Sequence, residues 1–104
     1  MSAGDIARMV RPVFERHGIE RAILFGSVAT GRQSRKSDVD LILVQNTARR
    51  YFARFEGLLE ELYRAIPGRE IECFIYTPEE LASISHRLFI QKALNEGKVI
   101  FERG

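Results

Sequence analysis

Residues 20–44 read ERAILFGSVATGRQSRKSDVDLILV, and their order decides the fold. An apolar run over roughly 20–25 ends at a Gly-Ser pair, and a second run over roughly 39–44 opens with Asp-Val-Asp. Both read as strands. The chain between them is too short for a full crossover helix, so the two strands should be antiparallel. Side chains alternate along a strand. Asp38 and Asp40 therefore share one face, while Val39, Leu41 and Leu43 form the other. The two aspartate Cα atoms should lie roughly 6.5–7 Å apart.

Carboxylates that close repel each other unless something positive sits between them. Mg²⁺ suits the need, since it takes oxygen ligands from one or two carboxylates and from substrate phosphates. Two metal ions about 3.5–4 Å apart would also fit the chemistry. Asp40 lies on a face that continues with Ile42 and Val44, where a charge without a partner is costly. Upstream, Gly26 permits a tight turn. Ser27 can cap a short helix over Val28, Ala29 and Thr30 that stops at Gly31. Free N–H groups at such a turn attract anions. Arg32, Arg35 and Lys36 add positive charge in the same loop, with Arg32 and Lys36 the candidates for nucleotide binding. Alone, a Gly-Ser pair is an ordinary turn and an Asp-x-Asp an ordinary cap. Together, at two strand ends with this spacing, they form a much rarer arrangement.

Outward from this hairpin, residues 2–17 have helical periodicity through Ile6, Met9, Val10 and Val13. Pro12 should kink that helix or mark a late start, and Gly18 should stop it. Residues 47–66 carry a continuous stripe of Tyr51, Phe52, Phe55, Leu58, Leu59, Leu62, Tyr63 and Ile66 and read as one helix. A third strand follows over 70–76, with Ile71, Cys73 and Ile75 on one face and Glu70, Glu72, Phe74 and Tyr76 on the other. Thr77-Pro78-Glu79-Glu80 is a capping box with proline at the first helical position. Its helix should run to Asn95, with Leu81, Ile84, Leu88 and Phe89 turned inward, before a terminal strand over 99–101. The expected architecture is α/β (α+β), with helices on a sheet of three or four strands in one domain spanning 1–104. The 47–66 helix makes an ordinary crossover, so strands two and three should be parallel. That places Glu72 beside Asp38 and Asp40 as a candidate third metal carboxylate. Glu70 ranks lower, near the strand start.

The chain has 104 residues, enough for one small domain, and 45% are hydrophobic, enough for a core. A net charge of +2 is too weak alone to argue for nucleic-acid binding, yet compatible with an anionic substrate. The single cysteine, Cys73, rules out an internal disulfide and reads as a small buried hydrophobe. Asp5, Arg8 and Arg11 interrupt any signal-peptide core, and no apolar run approaches a membrane span. Cytoplasmic residence is the expectation. His17 and His86 read as structural or surface residues.

The combined pattern resembles the signature of the DNA polymerase β-like nucleotidyltransferase superfamily. The run Ser37-Asp38-Val39-Asp40-Leu41 and the chain length are similar to its minimal nucleotidyltransferase (MNT) branch. The resemblance implies that Gly26 and Ser27 hold a triphosphate and that Asp38 and Asp40 bind Mg²⁺. The third acid of the family is usually an aspartate, and its role falls on Glu72, one methylene longer. Implied too is transfer of a nucleoside monophosphate, AMP from ATP, to a hydroxyl acceptor with release of pyrophosphate. Minimal members are often paired with a helical HEPN-type protein in toxin–antitoxin systems. A partner that serves as acceptor is therefore one expectation, and an antitoxin that acts by docking is the alternative.

Overall fold

A computed structural model describes residues 2–31 and 38–103. Helix α1 (Ala3–Arg16) leads into β1 (Ile19–Phe25), the short helix α2 (Gly26–Ala29) and β2 (Val39–Gln45). A 3₁₀ turn (Tyr51–Phe55) and α3 (Leu58–Ala65) carry the chain to β3 (Ile71–Tyr76). Helices α4 (Pro78–Ile84) and α5 (Leu88–Glu96) precede β4 (Lys98–Glu102). The sheet order is β3-β2-β1-β4. As expected, β1 and β2 are antiparallel, and β2 and β3 are parallel. Phe25 pairs with Asp40 across the hairpin, and Asp40 pairs with Glu72 on the other side.

The alternation along β2 builds two cores. Val39, Leu41 and Leu43 pack with Ile6, Val10 and Phe14 of α1 and with Leu58 and Leu62 of α3. Ile42 and Val44 face the opposite layer, where Ile23, Phe25, Leu81, Ile90 and Ala93 join them. Cys73 packs against the first core, and burial pushes its thiol up to about 12. Each buried aliphatic side chain contributes roughly 1.5–3 kcal/mol, so the sheet is held from both faces.

Two expectations about helices are corrected, and of the two alternatives for Pro12 the late start is excluded. Helix α1 starts at Ala3 under a Ser2–Asp5 capping box and continues through Pro12, so there is no late start. The 47–66 segment is not one helix. Gly57 adopts φ 77° and separates the 3₁₀ turn from α3. A left-handed residue cannot continue a right-handed helix. Phe52 is consequently left 86% exposed. The 78–95 segment is also broken, between Ile84 and Leu88. The restart rotates Leu88 outward, 83% exposed, and Ile90 and Ala93 bury themselves instead. Half of Phe89 remains exposed. Of the histidines, His17 pairs with Glu61 and His86 is exposed.

The 3₁₀ turn carries a buried arginine. Arg54 is 6% exposed and donates to the carbonyls of Arg49 and Ile75, both at 3.0 Å. It also grips both carboxylate oxygens of Glu80, at 2.6 and 3.0 Å. The Thr77 backbone N–H donates to Glu80 as well, completing the capping box. Arg54 first, then Thr77, hold the Glu80 carboxyl down at about 2. Glu80→Ala should therefore cost about 2–3 kcal/mol, below the usual loss for a fully buried pair because Glu80 is half-exposed. The native contribution should be complete above the ordinary carboxylate range and fade as pH falls from about 4.5 towards 2. Urea titrations of both proteins between pH 3 and 7 check this. A constant difference across that range would remove the ionic explanation.

Candidate active site

The site forms where β1 ends and β2 begins. Phe25 is fully extended, and Gly26 then turns into α2 with φ 77°. A side chain at Gly26 would overlap Asp40 Oδ2, and its Cβ would lie 3.2 Å from Asp40 Cγ. The Asp40 carboxylate thus rests directly against the glycine backbone. Ser27 does not cap the helix, contrary to expectation. The positive φ lets α2 begin at Gly26, so Phe25 takes the cap position and Ser27 falls within the first turn. Thr30 closes the turn, its hydroxyl donating to the carbonyls of Gly26 and Ser27 at 3.3 Å.

Asp40 is half-buried, with Asp38 exposed just before β2 and Glu72 exposed opposite it on β3. Burial raises the Asp40 carboxyl to about 6, helped by the charge and hydrogen bond of Glu72 and by the charge of Asp38. Glu70 is turned to other work, accepting from the Tyr63 hydroxyl at 3.4 Å. Among the described residues, no three His, Cys, Asp or Glu side chains form a ready-made metal cage. Burial first, and then the neighbouring Glu72 and Asp38, disfavour the ionised form of Asp40, and a nearby cation would favour it. Arg32, Arg35 and Lys36 lie outside the described residues.

The sequence reading missed a second wall. A cleft of about 250 Å³ runs from Phe25 and Gly26 to Phe89, Lys92, Ala93 and Glu96 of α5. Only the spacing of Lys92 and Glu96, one helical turn apart, hinted that both would point to one side. Another cleft, of about 420 Å³, lies at the far ends of β1 and β2 near Arg21, Val44 and Leu81, and none of Asp38, Asp40 and Glu72 lines it.

At the end of β1 a glycine turn thus lies against Asp40, with Asp38 and Glu72 near it. The profile of the polymerase β nucleotidyltransferase family matches residues 9–104, and the chain belongs to that family. A Methanocaldococcus jannaschii protein, provisionally named a protein adenylyltransferase, is 31% identical over 98 residues, covering 92% of this chain and 95% of the relative. Two of the solved structures that share the fold are toxin–antitoxin structures. One is a toxin–antitoxin structure with AMP-PNP, at TM-score 0.70 and 21% identity, covering 93% of this chain and 73% of that one. The other holds the tri-AMPylated HEPN toxin of Shewanella oneidensis with its MNT antitoxin, at TM-score 0.63 and 15% identity, covering 94% and 71%. Among the described residues no helix is long and apolar enough to cross a membrane.

Proposed function

We propose that this nucleotidyltransferase moves AMP from ATP to a hydroxyl group of a protein partner, with Mg²⁺ as cofactor. The observation that carries the reading is the Asp40 carboxylate, packed on Gly26 and raised to about 6 beside Glu72 and Asp38. Gly26 leaves the backbone bare for the triphosphate to approach. The Ser27 hydroxyl donates to a phosphate oxygen. Asp38, Asp40 and Glu72 would hold Mg²⁺, which neutralises phosphate charge when bound. Asp40 Oδ2 or Glu72 takes the proton of the acceptor hydroxyl. The acceptor oxygen bonds to the α-phosphorus as the bond to the bridging oxygen breaks, and pyrophosphate leaves with that electron pair. Positioning and electrostatics supply most of the acceleration in such transfers.

A protein acceptor is supported by the provisional name of the Methanocaldococcus relative and by the toxin-bound structures that share the fold. A helical HEPN-type protein is the partner class these suggest. The chain and its co-expressed genomic neighbour, incubated with ATP and Mg²⁺, should yield a neighbour heavier by whole AMP units in intact-mass spectra. Stable complex formation without added mass, in a reaction where the chain binds ATP, would favour an antitoxin that acts by docking. Efficient labelling of a small molecule or an RNA end, with the neighbour unchanged, would replace the protein acceptor.

A further inference from the structure

The cleft beside Gly26 has a definite chemistry. It starts at Gly26, the residue that abuts Asp40, so it adjoins the phosphate turn. Phe25 and Ala93 form a buried apolar floor. Phe89 stands over it, 53% exposed, its ring edge-on to Phe25 at 5.7 Å and to Phe74 at 5.8 Å. Two neighbouring rings hold Phe89 in place before any ligand arrives. A platform already ordered loses little freedom when something stacks on it. Lys92 and Glu96 stand one turn apart at the same cleft, one a donor and the other an acceptor.

The geometry points to this cleft as the pocket for the purine base of the donor nucleotide; the assignment rests on the phosphate-holding role of Gly26 and Ser27. Phe89 stacks on the base, while Glu96 and Lys92 meet its polar edge. Adenine offers an amino donor beside ring-nitrogen acceptors, and guanine a carbonyl and ring-nitrogen acceptor beside N–H donors. Either edge complements one carboxylate and one ammonium. A pyrimidine presents a smaller face to Phe89, and inorganic triphosphate presents none.

Calorimetric titration of the whole chain in Mg²⁺ with ATP, GTP, CTP, UTP and tripolyphosphate tests the assignment. ATP and GTP should bind more tightly than CTP, UTP or tripolyphosphate. Phe89→Ala should weaken ATP roughly ten- to a hundredfold, the range for loss of one base stack, and leave tripolyphosphate unchanged. Phe89→Trp should keep ATP affinity, because the π-face remains. Lys92→Ala and Glu96→Ala should each narrow the preference for purines. Unchanged ATP affinity in Phe89→Ala, or parallel losses of ATP and tripolyphosphate, would overturn the base pocket. Equal affinity of the wild-type chain for all five ligands would overturn it too while leaving the phosphate turn intact. Failure of tripolyphosphate and every nucleotide to bind would strike the phosphate turn itself, and the base pocket with it.

Discussion

Replacing Asp40 with asparagine should lower nucleotidyl transfer at least about a hundredfold, the scale for losing one preorganised electrostatic contact. The same change should make the folded chain more stable at neutral pH. The two effects share one cause. Asp40 ionises near 3.8 in an unfolded chain and at about 6 in the fold. Well below 3.8 it is protonated in both states, and its titration contributes nothing to the difference between the proteins. As pH rises from about 4 to 6, the unfolded chain releases its proton first, so native stability falls. Above 6 the loss is complete. A shift of this size corresponds to about 3 kcal/mol unscreened, but Asp40 is only half-buried, and roughly 1 kcal/mol should remain. Asparagine has the same shape and no charge to lose. Thermal melts of both proteins at pH 4 and pH 8 make the comparison. An advantage of equal size at both pH values would show that the ionisation of Asp40 is not its source.

Gly26→Val should remove nucleotide binding and destabilise the fold by about 2–4 kcal/mol. Positive φ costs an L-residue roughly 1–2 kcal/mol, and branching at Cβ adds to it. The new Cβ would also fall on Asp40 Oδ2, forcing the carboxylate away from its position. One substitution therefore damages the phosphate turn and the acid together. Ser27→Ala removes a single donor to a charged group and should cost only about 1–3 kcal/mol of ATP affinity. Titrations with ATP and Mg²⁺, alongside circular dichroism, separate these outcomes. Wild-type affinity in a folded Gly26→Val protein would place the phosphates elsewhere.

The hairpin, the parallel pairing of β2 with β3 and the closeness of Glu72 to Asp40 could all be read from residues. Strand alternation fixes which side chains share a face, and a short connection leaves only an antiparallel turn. The breaks at Gly57 and before Leu88 could not be read in the same way. Apolar residues three and four apart satisfy a 3₁₀ turn or a restarted helix nearly as well as one continuous helix. Arg54 was invisible for another reason. Its burial depends on Glu80, which reaches it only after β3 and α4 have packed. Phe89, Lys92 and Glu96 likewise acquire meaning only when α5 lies against the start of α2.

The three acids differ in how they enter the folding chain. Asp40 belongs to an inner strand, Asp38 directly precedes it, and the partner β1 comes only a short way earlier in the chain, so one short connection brings Asp40 against Phe25 and Gly26. Glu72 rides on an edge strand that pairs only after a much longer stretch of chain has returned. Loop closure favours the nearer contact, and parallel pairings across long separations form late. The phosphate turn and the first two acids are thus one local unit, and the third acid is added when the outermost strand docks. An edge strand is also the first part of a sheet to open, so Glu72 is the acid whose placement depends most on the stability of the whole domain.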